Sequence, residues 1–236
     1  MNFSPSVAIA HAELRIMIRN KAVAMFAVLI PIVVAFAIGL APTPNMAAQA
    51  ILFMLLIGIY VTATTTLSTR RRELFLKRLR SGAASDASVI IGLIAPAVVV
   101  TCVQVALMFG VASATAYAMP RNVALLIVAV LAGAIMCAGM AFATSAFTTS
   151  AEAAQVTTMP FVIAAIGGGL LVTLEGTTQF AWAGRLLPGG AIVELIIGAW
   201  KSTAWVNAWP ALLALAAWTL IGVTAAVRFF KWEPRS

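Results

Sequence analysis

The chain has 236 residues, of which 63% are hydrophobic and 9% charged, with a formal net charge of +8. A soluble fold of this length leaves much of its area facing water and cannot hide so much apolar surface, so the composition excludes one and calls for a bilayer. Most of the bases fall in three short clusters between long apolar runs, which excludes nucleic acid as the partner and fits the inner face of a membrane.

The first element in chain order is a short amphipathic stretch. Val7, Ala10, Leu14, Met17 and Ile18 recur at helical spacing, with His11, Arg15 and Arg19 beside them at steps of four. Residues 1–20 are therefore read as a helix lying in the inner membrane interface, with a frayed basic tail as the alternative. No small-residue cleavage site follows the first apolar run closely, so no cleavable leader is read.

Six runs then approach the ~20 residues that cross ~30 Å of hydrocarbon. They are Ala22–Leu40, Met46–Leu67, Val89–Val111, Val123–Phe147, Val156–Leu174 and Ala208–Val227. Leu186–Trp200 is a weaker apolar stretch, short and broken by Pro188, Gly189, Gly190 and Glu194. It is read as re-entrant or interfacial within an outer segment, 175–206. The expected fold is an all-α integral membrane protein forming one transmembrane domain over 1–236, with about six spans.

With both termini inside, the inner side holds Arg15, Arg19, Lys21, then Arg70, Arg71, Arg72, Lys77, Arg78, Arg80, then Arg228, Lys231 and Arg235. Only Arg121, Arg185 and Lys201 remain outside, a split that fixes this orientation under the positive-inside rule. Trp182, Trp200, Trp205 and Trp209 then gather at the outer interface as an aromatic belt. The loop 70–88 opens with RRRELFLKRLR. Phe75, Leu76 and Leu79 share one helical face there, which makes the segment either a docking helix for a partner or a membrane anchor. Ser85 or Asp86 is placed to cap the next helix.

Missing chemistry narrows the function further. His11 is the only histidine and lies outside the spans, and Cys102 and Cys137 sit deep in apolar runs. No hydrolase triad, metal site or disulfide framework is read, and no Gly-rich phosphate loop. No catalytic residue and no cofactor is therefore assigned. No Asp, Glu, Lys or Arg falls within the six runs, whereas ion-coupled transporters need such a group at mid-membrane. Glu175 and Glu194 in the outer segment are read as solvated. The polar groups within the spans are mild: Thr62, Thr64, Thr65 and Thr66, Gln104, and Gly167, Gly168 and Gly169. They either pack helices together or line a path for a bulky, mostly apolar solute. Thr62, Thr65, Thr66 and the three glycines are the candidate path.

In order and spacing these features resemble the ABC-2 type permease family over nearly the whole chain. Its drug-exporter branch, the daunorubicin-resistance type, has a similar Arg-Arg, acid, Leu-rich basic run at Arg70–Arg80. Thr148–Gln155, TTSAEAAQ, looks like the family's short inner loop between spans four and five. Met159–Gly176 resembles its Gly-rich fifth span, and Leu186–Trp200 its Pro-containing re-entrant element. After Arg80 the chain departs from the pattern: Ser81-Gly82-Ala83-Ala84 replaces a Thr-Pro-Leu-like turn, and Gly92 stands where a base is expected.

The resemblance implies a non-enzymatic permease subunit of an ATP-driven exporter in a plasma membrane of bacterial type. A separate cytoplasmic ATPase would bind the ATP, and a second permease chain, identical or homologous, would complete the membrane part. Arg72, Glu73, Phe75, Leu76, Lys77, Arg78 and Leu79 would form the coupling helix. Drugs or other amphipathic small molecules would be the substrates, in contact with membrane lipid. Haem, lipid or polysaccharide within the same machinery, and a secondary transporter or membrane scaffold outside it, are the alternatives.

Overall fold

The computed structural model describes residues 5–19, 29, 33, 43–72, 85–114, 119–174, 181–201, 203 and 205–229. Among them there are helices and connections but no strand. Five helical segments are long and apolar enough to cross a bilayer: Pro44–Arg72, Ser88–Ala112, Val123–Ser145, Ala151–Leu174 and Trp205–Phe229. They match the second to sixth expected spans. The first, 22–40, lies outside the described residues apart from Leu29 and Val33. So do residues 73–84, with most of the expected coupling helix.

Helix α1 (Pro5–Arg19) packs along the helix that spans Asp86–Ala112. Ile9 and Glu13 are buried in that contact, while Val7 and Ile18 stay exposed on the other edge of the expected apolar face. The close approach depends on Gly92. A Cβ there would come within 2.7 Å of the Ile9 Cβ and 3.0 Å of the Ser6 carbonyl oxygen. No basic side chain fits at a position filled this way.

The second expected span is one long rod in three parts. α2 (Pro44–Leu55) starts with Thr43 capping the Met46 N–H at 3.2 Å and Pro44 in the first turn. A π-helical stretch, Leu56–Val61, follows, and α3 (Thr62–Arg72) completes the rod. At 29 residues the rod is roughly 43 Å long, more than the hydrocarbon needs, so it reaches beyond the core or tilts. π-turns inside α-helices recur at functional positions. Here the turn carries Tyr60, which is fully buried, and the half-buried Gly58.

α4 (Asp86–Ala112) begins at Ser85, whose side chain accepts from the Ser88 N–H at 3.2 Å and is the cap expected from the sequence. α5 (Val123–Ser145) is capped by Asn122, which accepts from Leu125 N–H at 3.0 Å. α6 (Ala151–Thr157), capped by Ser150, leads into α7 (Met159–Leu174). The last helix, α10 (Trp205–Phe229), packs mainly on α5.

Between α7 and α10 lies a hairpin of two short arms, α8 (Ala181–Leu186) and α9 (Pro188–Trp200). Thirteen residues make α9 roughly 20 Å long, too short to cross ~30 Å of hydrocarbon. Its contacts fix its depth. The turn lies against the middle of α7, where a Cβ on Gly189 would collide with the Ala165 carbonyl and one on Gly168 with Leu187. At the far tip of α9, the Ala199 carbonyl accepts from the Asn122 N–H at 2.9 Å, beside the start of α5.

The hairpin thus enters from one end and turns at mid-bundle height. Irregular backbone is tolerated at that depth only where protein satisfies it. The Trp218 indole N–H donates to the Leu186 carbonyl at 2.8 Å, and the Leu187 N–H to the Gly184 carbonyl at 3.1 Å. Trp200, expected in the interfacial belt, is instead buried and stacked on Phe109 at 5.9 Å. Trp182, Trp205 and Trp209 are exposed, as a belt requires.

Candidate functional site

The end of the bundle that carries Arg70–Arg72 is tied together by charge. Glu13 on α1 is 6% exposed, and Arg70 at the end of α3 grips it with two nitrogens, Nε at 2.8 Å and Nη2 at 3.0 Å. Planar, two-point guanidinium–carboxylate contacts of this kind are among the stronger polar interactions. Arg71, 5% exposed, donates from Nη2 to the Thr148 carbonyl in the connection between α5 and α6. The Thr148 hydroxyl bonds Thr157 at 2.8 Å and the Thr144 carbonyl at 2.9 Å. Higher in the bundle, the Tyr60 hydroxyl meets Thr144 Oγ1 at 2.9 Å.

One rod end therefore holds α1 with Arg70 and the α5–α6 connection with Arg71. Arg72 is exposed and is the last described residue before the expected coupling helix. Of that helix, Glu73, Phe75, Leu76, Lys77, Arg78 and Leu79 lie outside the described residues. Sequence reading placed Arg70 and Arg71 at the start of the Arg70–Arg80 docking run, as charges that fix membrane orientation, and overlooked Glu13. The one available signal was that Glu13 is the only acid before Glu73.

The candidate path residues fall in two places. Thr62, Thr65 and Thr66 lie half-buried along one face of α3, while Thr64, Leu67, Ser68 and Arg71 are buried along the other. Thr62 and Thr65 donate to the Ile57 and Val61 carbonyls at 2.8 and 2.9 Å, so their hydroxyls are spent on their own helix.

On α7, Gly168 and Gly169 are contact positions. Gly168 is pressed by Leu187, and a Cβ on Gly169 would come within 2.8 Å of Leu52 and 3.0 Å of the Gln49 side chain. Gly167 faces open space. α3 packs on α5, α6 and α4, and α7 on α9, α8 and α2, so within this chain the threonine stripe and Gly167 do not share one wall.

A second ion pair sits within the hairpin. Arg185 on α8 holds Glu194 on α9 through Nε and Nη2, both at 2.6 Å. Glu194 is thus partnered, where the sequence reading left it to solvent. The aromatic rings of Tyr60, Phe161 and Trp218 form a buried-to-half-buried row, with centroids 4.6 and 6.3 Å apart. It links the π-turn to the helix that satisfies the hairpin. Among the described residues no cluster of His, Cys, Asp or Glu is placed to hold a metal.

Compared with known proteins, the chain matches the model of the ABC-2 type transporter family over residues 6–199. No curated protein matches it.

Proposed function

This chain belongs to the ABC-2 type transporter family, and on that premise we propose that the junction around Arg70 and Arg71 receives the push of an ATPase subunit. It is a multi-pass membrane protein and the permease component of an ABC transporter, a transport part and not itself a catalyst. The family works with an ATPase subunit. In our reading the basic end faces the cytoplasm, both termini lie there, and 73–84 is the docking segment.

The observation that carries this reading is the pair of arginine ties at Arg70 and Arg71, immediately before that segment. A displacement of 73–84 would act first on Arg72. Through Arg70 it would reach α1, and through Arg71 the α5–α6 connection. The rod would carry it to the π-turn at Tyr60. A segment that served only as an anchor needs no such ties.

The substrate in this reading is an amphipathic small molecule moved outward between two permease chains. The support is the half-buried threonine face of α3, where the Thr62 and Thr65 hydroxyls are bonded to their own helix, and the open position at Gly167. Each lies on a different side of this chain, so a second chain would bring the two faces to one cavity. Apolar contact would supply most of the binding.

The test uses the full chain expressed with its ATPase. Phe75→Asn with Leu79→Asn should leave membrane levels unchanged, reduce copurification of the ATPase, and abolish export. Burial of those two side chains is worth ~1.5–3 kcal/mol each. Unchanged association and export would reduce 73–84 to an anchor. With coupling intact, unaltered accumulation across a broad panel of amphipathic drugs would transfer the reading to a lipid or polysaccharide substrate.

A further inference from the structure

The end of the bundle opposite Arg70–Arg72 contains a pocket of about 250 Å³, partly open, at the outer side of the hairpin. Its polar lining is Asn45, Thr173, Glu194, Lys201, Thr203 and Asn207, and the rest is mostly aliphatic, including Val172 and Leu195. These residues come from the start of α2, the end of α7, the far half of α9 and the start of α10. Apart from Glu194, at the middle of α9, they lie within about two turns of the helix ends on this side, so the polar rim falls near the head-group layer and the aliphatic floor at the edge of the hydrocarbon.

The charge balance of this pocket is specific. Among the described residues Glu194 contributes its only acid, and Arg185 occupies both oxygens of that carboxylate. Lys201 is exposed and makes no ion pair among the described residues. Among the described residues one positive charge is left over, beside two carboxamides and the Thr203 hydroxyl, while the Thr173 hydroxyl donates to the Leu170 carbonyl at 2.8 Å. A lysine is a point-charge partner for phosphate oxygens, and amides and hydroxyls donate to the remaining ones. At 250 Å³ the space holds a head group but not a whole amphiphile.

We propose that this pocket binds the phosphate-bearing anionic head group of a membrane lipid, whose first chain carbons lie on the Val172 and Leu195 floor. The site is separate from the coupling junction and from the α3 threonine stripe. Its chemistry does not depend on the transport reading, and only the choice of leaflet does.

The experiment is native mass spectrometry of the purified full chain titrated with phosphatidylglycerol, with phosphatidylcholine, and with sodium phosphate. Phosphatidylglycerol should form a saturable adduct well ahead of phosphatidylcholine. Lys201→Gln should weaken it about tenfold, the loss of one charge-assisted contact, while Lys201→Arg should retain it. Arg185→Gln should weaken it comparably with Lys201 intact, because Glu194 then cancels the lysine. The double variant Arg185→Gln, Glu194→Gln should restore it. Since Lys201 is exposed, its two variants keep the test open if the hairpin variants do not fold. Equal binding of the two lipids, or wild-type binding by Lys201→Gln, would overturn the proposal. Competition by sodium phosphate at equal concentration would overturn the lipid as occupant in favour of the free ion.

Discussion

The basic end of this molecule and its hairpin each contain an arginine–glutamate pair held by two nitrogens, yet the pairs do different jobs. Glu13 and Arg70 are 57 residues apart and join separate elements, with side chains 8% and 19% exposed. Arg185 and Glu194 are nine residues apart, lie within one hairpin, and are 31% and 28% exposed. The hairpin is held mainly by something else, the backbone contact of Gly189 and Gly190 with α7 and α8. A contact of that kind is made of packing alone and has no second arrangement at similar energy. Polar ties between elements can break and re-form with other donors. In the coupling reading proposed above, the basic end is the part that moves and the hairpin the part that stays.

The largest effect is expected where packing alone holds. Gly190→Val would drive side-chain atoms into the Gly184 carbonyl, which no rotamer relieves. The expected cost exceeds ~4 kcal/mol, in the range reserved for disrupted cores. Membrane levels should collapse, and any purified protein should melt far below wild type. Normal levels and an unchanged Tm would mean that the hairpin tolerates displacement, and the contrast between the two ends would vanish.

The ion pairs allow a direct comparison. Glu13→Gln removes the carboxylate that Arg70 grips with two nitrogens, and breaking a largely buried pair of this kind costs up to ~3–5 kcal/mol. Arg185 and Glu194 are close to a third exposed, and solvent brings their coupling nearer ~1 kcal/mol. Double-mutant cycles on each pair, read by thermal unfolding, should give a clearly larger coupling for Glu13–Arg70. Equal couplings would contradict the assignment of the basic end as the end held by charge. Arg71→Ala should be milder than Glu13→Gln, about 1–3 kcal/mol, because it leaves a carbonyl rather than a charge unsatisfied. Arg71→Lys should recover only part, since an ammonium lacks the guanidinium's planar reach.

These pairings mark the limit of what the sequence discloses. Five spans, the Ser85 cap and the short Pro-Gly-Gly stretch before the last span were all legible, because each is a local signal. Span length reports hydrocarbon thickness, and a serine three residues before an unpaired N–H reports a cap. Glu13–Arg70 leaves no comparable trace, since periodicity says which side of a helix is wet but not which helix covers the dry side. Arg70 and Arg71 look identical to orientation charges in a loop count. Gly92 was noticed only as a missing base, and its meaning, the seat of Ile9, requires the fold. The threonines were legible as a cluster, while the direction of each hydroxyl back into its own helix was not. The remaining candidate residues, from Glu73 to Leu79, fall outside the described part of the chain.

The smallest expected stability change separates a path residue from a packing residue. Gly167 and Gly168 are neighbours on α7, but a Cβ on Gly167 meets nothing within 4 Å, while one on Gly168 comes within 3.0 Å of the Gly190 nitrogen and closer still to Leu187. Gly167→Ala should therefore be neutral or stabilising, by up to ~1 kcal/mol of helix propensity. Gly168→Ala should destabilise, because the hairpin cannot yield. Beyond stability, the path reading makes a further demand on Gly167. Gly167→Leu fills that open space with a side chain, so in the complex it should lower export while Tm and ATPase association stay at wild-type values. If Gly167→Leu transports normally, that face of α7 is lipid-covered. The open space beside Gly167 would then belong to the bilayer and not to a substrate cavity.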